Sequence, residues 1–316
     1  MNSPMVSVLM PCYNGGKYIR AAMQSIMDQS LSDWELIIVN DASTDDSRSI
    51  IESFADERIR CISHTKNLGV VASRNRALKE SNGRYLAIMD ADDVARPDKL
   101  SRQVDFLEKN HRFGLVGSWA KIIDKKGADT GRSWKLRAGP DKIKAELIFR
   151  NYFIHSAILV RKEAALRFPY ETGLEIGEDY KFVWDISRHW DVANLQEHLV
   201  SYRIHSSNIT HKLGLHRNCL LDMYQRIFSE IGLEATPEQL GLHINLRGNL
   251  KLVRDYPPTK YAEWLKRIRT LNADGNLAKQ ASLDRVIFSR WAKVCAAHWR
   301  DPAAVIRESL NMMSHD

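Results

Sequence analysis

Tyr85-Leu86-Ala87-Ile88-Met89-Asp90-Ala91-Asp92-Asp93 sets five apolar-bodied residues directly before three carboxylates. A short apolar run closed by turn-forming aspartates reads as a buried strand that ends in a loop. A helix led by Pro97 follows it. Three carboxylates within four residues repel one another unless a cation sits among them. Hard oxygen ligands suit Mg²⁺ or Mn²⁺, but Asp is also common in surface turns and at helix starts. The motif by itself leaves both readings open.

Working back from this strand, Val6–Met10, Glu35–Asn40 and Ile59–Ser63 also read as strands. Lys17–Gln29, Asp45–Phe54 and Val70–Ser81 between them carry apolar residues at helical spacing. Ser43-Thr44-Asp45 reads as a helix N-cap with an acidic first turn. The alternating order predicts an α/β fold with a mostly parallel sheet flanked by helices. In such sheets ligands bind at the carboxyl ends of the strands. Three of the four strands end there in polar residues: Cys12-Tyr13-Asn14, Asn40-Asp41-Ala42-Ser43 and the aspartate cluster.

Downstream, Ala157–Val160 and Val200–Ile204 read as added strands, and Gly177–Arg188 as a helix opening on Glu178-Asp179. After His211 the character changes to long helix formers, with Tyr261–Leu271 and Leu283–His298 as amphipathic stretches. A boundary near residue 212 divides a domain at 1–211 from a helical C-terminal region at 212–316.

Composition narrows the classes. A hydrophobic fraction of 44% and a charged fraction of 27% belong to an ordinary globular protein. No apolar run approaches the roughly 20 residues of a membrane span, and the N-terminus lacks the pattern of a secretory signal. Cys12, Cys61, Cys219 and Cys295 form no CxxC pair, which points to a reducing, cytoplasmic compartment rather than a zinc or disulfide framework. The net charge of +7 is uneven: residues 212–316 carry 16 Lys and Arg against 11 Asp and Glu. That tail is either a solvated helical surface or a face for an anionic partner. Trp264, Leu265, Ile268 and Leu271, with Trp291, Val294 and Trp299 further on, stand among Lys and Arg. The pattern suits core packing, and it also suits peripheral contact with the inner face of the cytoplasmic membrane.

Pro11-Cys12-Tyr13-Asn14, Asn40-Asp41-Ala42-Ser43-Thr44-Asp45, Asn67-Leu68-Gly69 before Arg74-Asn75, and Asp90-Ala91-Asp92-Asp93, in this order and spacing, resemble the family 2 inverting glycosyltransferases. The resemblance covers roughly residues 5–211. It implies a GT-A (Rossmann-like) fold and a metal-dependent, hexosyltransferase-type enzyme that takes sugar from a nucleotide-diphosphate donor, UDP-linked by expectation. Pro11 and Tyr13 would flank the nucleobase with Asn14 and Asn67 nearby, and Asp41 would accept the imide N–H of a uracil. Arg74 would lie near the base or diphosphate, and Asp90 and Asp92 on the donor. Asp92 and Asp93, with His205, would hold Mn²⁺ or Mg²⁺. Asp179 matches the general base, a role suited to a carboxylate beside an acceptor hydroxyl, and Glu178 and His155 would line the acceptor side. Tyr202-Arg203-Ile204-His205-Ser206-Ser207-Asn208 resembles a segment that folds over the diphosphate, with Arg203 offsetting its charge and His205 either ligating the metal or donating to a phosphate oxygen. The acceptor would be a glycan or lipid-linked sugar in lipopolysaccharide, O-antigen or capsule assembly, with no nucleic acid involved.

Other classes fit less well. No GxGxxG follows the first strand, since Gly15-Gly16 lacks the third glycine and the spacing of a dinucleotide site. No Walker A motif is present, and Pro11–Lys17 lacks the basic triphosphate grip of a nucleotidyltransferase. A non-catalytic sugar binder would have no use for Asp179.

Overall fold

The computed structural model describes residues 3–136, 138–174, 176–206, 208, 213–247, 252–275 and 277–298. Two compact units divide the chain: Met1–Ala138 with Phe153–Lys212, and Gly139–Tyr152 with Leu213–Asp316. Residues 139–152, which the sequence offered no reason to detach from the first domain, thus group with the C-terminal helices.

The strands are β1 (Val6–Cys12), β2 (Trp34–Asn40), β3 (Ile59–Ser63), β4 (Tyr85–Ile88), β5 (Val94–Ala95), β6 (Phe113–Ile123), β7 (Asp129–Trp134), β8 (Leu159–Arg161) and β9 (Asp191–Arg203). The helices are α1 (Ile19–Met27), α2 (Ser47–Glu52), α3 (Val70–Glu80), α4 (Lys99–Lys109), α5 (Pro140–Glu146), α6 (Lys162–Arg167), α7 (Glu178–His189), α8 (Leu213–Glu230), α9 (Pro237–Asn245), α10 (Pro258–Gly275) and α11 (Gln280–Ala297).

One mixed sheet, ordered β3-β2-β1-β4-β8-β6-β9-β5 with β7 paired to β6, forms the first unit. Its β3-β2-β1-β4 half is parallel, as the alternating pattern requires. Beyond β4 the expectation of a mostly parallel sheet gives way: β8 runs antiparallel to β4 and β6, and β7 and β5 are antiparallel to their partners. β1 and β4 are almost wholly buried, the state that makes parallel strands continuous apolar runs. Val6, Val8, Met10, Ile38, Tyr85 and Ala87 share one core with Ile19, Met23 and Leu100 from α1 and α4.

β6 is the longest strand the sequence did not reveal. Gly114 and Gly117 weaken its pattern, yet both are demanded by close approach. A Cβ at Gly114 would strike the Trp190 ring, and one at Gly117 would strike Phe153 and Asn194. The expected cap of α2 also differs in detail. The helix begins at Ser47, and Asp45 accepts from the Ser47 backbone N–H at 3.0 Å and from Gly16 N–H at 2.9 Å, tying the β1 loop to the β2 loop.

In the second unit the His243 imidazole sits among Phe149, Tyr224, Phe228 and Trp264. Burial lowers its pKa to about 3. The neutral ring is held by the Ile148 carbonyl at 2.9 Å and by the Trp264 indole N–H at 3.2 Å. Arg290 and Glu146 form a buried ion pair. Trp264, Leu265, Ile268, Trp291 and Val294 are each at most 3% exposed. These members of the apolar stripes are therefore used in packing; Trp299 lies outside the described residues. Among the described residues no helix is long and apolar enough to cross a membrane.

Candidate active site

The loops at the carboxyl ends of β1 and β2 are interlocked. Asn14 and Ala42, each one or two residues past a strand, have φ of 51° and 56°, a region non-glycine residues seldom enter. The Asn14 backbone N–H donates to Ser43 Oγ at 2.9 Å, and its side-chain oxygen accepts from Thr44 N–H at 2.8 Å. These bonds hold both residues in place. Tyr13 stands out from this frame at 53% exposure, beside half-buried Pro11, where a planar base could stack on the phenol ring.

Asp41 is turned inward instead of outward. It is 3% exposed. Its Oδ1 accepts from Leu68 N–H and is paired with His64 Nδ1, both at 2.8 Å, while Oδ2 accepts from Gly69 N–H at 2.8 Å. The carboxylate fastens the Asn67-Leu68-Gly69 turn to the end of β2, and only Oδ2 keeps an unused lone pair for an imide N–H. Asn67 itself is exposed at the tip of that turn.

Arg74, expected near the base or diphosphate, is held by side chains on two other elements. It is 6% exposed and bridges two carboxylates, Glu178 Oε1 at 2.5 Å and Asp90 Oδ1 at 3.1 Å. Burial alone would favour the neutral guanidine, but Asp90 and Glu178 outweigh it and hold the charge more firmly than usual. Burial also pushes Glu178 up to about 7, against the pull of Arg74. Glu178 is thus a strut between the Asp90 loop and α7, not a side chain open to an acceptor. Asp179, the next residue, is half-buried in the first turn of α7, close enough for its charge to act on Arg74, Tyr170 and Glu178.

His155 does not line an open wall either. It is 7% exposed, its Nε2 is 2.8 Å from the Tyr170 hydroxyl, and Phe182 packs on its edge. Burial, then the nearby Arg74 charge, pushes its pKa well below the usual range.

The aspartate cluster divides its work. Asp90 Oδ2 accepts from Ser156 Oγ at 2.9 Å. Asp93 is 1% exposed, with Oδ1 on the Arg203 backbone N–H at 2.8 Å and Oδ2 buried without a hydrogen-bond partner. The Asp92 side chain is 28% exposed and lies 2.8 Å from His205 Nε2. Burial, followed by mutual repulsion, raises the Asp92 pKa and raises that of Asp93 well above its usual value. A cation among them would offset both penalties.

Among the described residues no three His, Cys, Asp or Glu side chains are arranged to hold one ion. The predicted set of Asp92, Asp93 and His205 is therefore reduced. Asp92 and His205 fit, because two neighbouring ligands of an octahedral ion, each at about 2.1 Å, stand about 3 Å apart. Asp93 is the weaker member of the set, since its Oδ1 is taken by the Arg203 backbone N–H and only its buried Oδ2 is left for an ion. Arg203 is itself 5% exposed, giving Nε to the Asp92 carbonyl at 2.7 Å and Nη1 to the Asp124 carbonyl at 3.2 Å. It braces the loop, in place of the expected contact with a leaving group.

Three participants escaped the sequence reading. Tyr18 lays its ring 4.7 Å from His205 and 4.8 Å under the Arg203 guanidinium. Ser156 and Tyr170 complete the Asp90 and His155 contacts. None belongs to a motif, and only the fold brings them to the site.

The family described as "Glycosyl transferase family 2" matches residues 7–169. An uncharacterised glycosyltransferase of Haemophilus influenzae is 31% identical over 278 residues, 84% of this chain and 85% of that one. The Escherichia coli UDP-Glc:alpha-D-GlcNAc-diphosphoundecaprenol beta-1,3-glucosyltransferase WfgD is 30% identical over 58% of this chain and 70% of its own. Among solved structures, Staphylococcus aureus TarS (residues 1–349) in complex with UDP-GlcNAc superposes with a TM-score of 0.62 at 15% identity, covering 92% of this chain and 88% of that one. The sheet, its carboxylate loop and these matches agree: the chain belongs to glycosyltransferase family 2 and has the GT-A fold.

Proposed function

We propose that the protein is an inverting, metal-dependent glycosyltransferase that moves a sugar from a UDP-linked donor to an acceptor hydroxyl, with Asp179 as the base. What supports this reading most is the Arg74 bridge, which ties the Asp90–Asp93 loop to Glu178 and so brings Asp179 beside the donor carboxylates. Tyr13 stacks the base, Asp41 orders the Asn67 turn beneath it, and Arg203 fixes the backbone of the carboxylate loop. A divalent cation held by Asp92 and His205 would neutralise charge gathering on the diphosphate. Asp179 takes the acceptor proton as that oxygen bonds to the anomeric carbon, while the anomeric C–O bond breaks and its electrons leave with UDP. One displacement inverts the centre, and no covalent intermediate on the protein is needed.

WfgD's named substrates support a lipid-diphosphate sugar as the acceptor class, and with it surface-polysaccharide assembly at the cytoplasmic face of the membrane. The test is turnover with a panel of UDP-sugars and a synthetic α-GlcNAc-diphosphate-alkyl acceptor. Transfer is expected with Mn²⁺ or Mg²⁺, to vanish in excess chelator, and to return when the ion is restored. Full activity in chelator would remove Asp92 and His205 from a metal role. A guanosine-linked donor turned over better than any UDP-sugar would overturn the donor assignment.

A further inference from the structure

Trp134 ends β7 with 39% of its surface open, and its ring lies 4.8 Å from that of Tyr202. Trp134 pairs with Ala120, and Tyr202 with Ile122. Residues two apart on a strand share a face, so both rings stand on the same side of the sheet. On that side Ile154 and Ala157 pack over Ala120, Val200 and Tyr202. Between Ile154 and Ala157 lies Ser156, which donates to Asp90. Tyr202 also precedes Arg203, which holds the Asp92–Asp93 backbone. The exposed indole thus stands on the sheet face that carries Ile154 and Ala157, whose neighbour Ser156 is bonded to the carboxylate loop. Exposed Arg132 lies two residues back on β7, in the stretch where the pairing with β6 shifts register.

We propose that Trp134, backed by Tyr202, is a stacking platform for a sugar ring of the acceptor; this rests on the glycosyltransferase reading above. The C–H groups on one face of a pyranose are weakly positive and meet the negative face of an indole. The ring hydroxyls point sideways, where Arg132 supplies donors. Such a platform holds a saccharide without selecting every hydroxyl, and it leaves nucleotide binding to the β1 and β2 loops.

The test uses the full chain, UDP, and a set of methyl pyranosides as acceptor probes. Saturation-transfer NMR on the wild type is expected to mark protons of one ring face. Trp134→Ala is expected to weaken pyranoside binding about tenfold, Trp134→Phe to recover most of it, and UDP affinity to stay unchanged in both. Unaltered pyranoside binding in Trp134→Ala, or no saturation transfer to any probe in the wild type, would overturn the proposal. So would a loss accompanied by a change in oligomeric state, which would make this face a contact between copies. UDP binding is read separately. A wild type that binds pyranosides through Trp134 but neither binds UDP nor turns over any nucleotide-sugar would sink the proposed function and leave the platform standing.

Discussion

Asp179→Asn is expected to slow transfer on the order of 10²–10⁴-fold while UDP-sugar binding stays near that of the wild type. The substitution keeps the size and most of the hydrogen bonding of the side chain but removes its ability to accept a proton. Asp179 lies in the first turn of α7, and the Arg74–Glu178 contact that anchors this turn does not involve the Asp179 carboxylate. Asparagine preserves the shape and hydrogen-bonding reach of the side chain, so the loss is expected in turnover. Steady-state kinetics together with calorimetry of UDP binding separates the two quantities. Retained turnover would assign the base elsewhere, and a parallel loss of UDP affinity would make Asp179 a donor-site residue.

Arg74→Met is expected to cost about 3–5 kcal/mol of apparent unfolding free energy, the scale of removing one partner from a buried ion pair. The guanidinium neutralises Asp90 and Glu178 at once in a setting that is 6% exposed. Without it, two carboxylates are left in a site that disfavours their charge. Adding Glu178→Gln to Arg74→Met is expected to recover part of the loss, because one of the stranded charges is then gone. Denaturant unfolding of the single and double variants checks this. A loss under about 1 kcal/mol, the scale of an exposed pair, would mean that the bridge does not organise the site.

The first half of the fold was open to reading from the sequence because its order is local. β1, β2 and β4 are short buried runs, β3 is a short half-exposed edge strand, α1 to α3 repeat with helical spacing, and observed ends fall within a few residues of those expected. The carboxylate loop and the Glu178-Asp179 helix start were visible for the same reason: each is a contiguous motif. What stayed hidden depends on contacts distant in sequence. β6 looks weak until Trp190, Phe153 and Asn194 are seen to exclude side chains at its glycines. Arg74 could be tied to a donor role by its motif, but its carboxylate partner 104 residues away shows only in the fold. Asp41 has the residue type of a base reader, yet the backbone of residues 68 and 69 claims most of its acceptor capacity. Asp93 and Asp92 are adjacent and chemically alike, and only the course of β9 decides that one braces Arg203 while the other faces His205. The amphipathic stripes of α10 and α11 fit two surroundings, core packing better than a membrane face, and the aromatic cluster around His243 shows which of their residues are packed.

The central claim is a single displacement at the anomeric carbon, and the configuration of the product tests it most directly. An α-linked UDP-sugar turned over by the wild-type protein is expected to give a β-glycoside, identified by the large H1–H2 coupling of a gluco-configured product in proton NMR. An α-glycoside from the same donor would contradict the account.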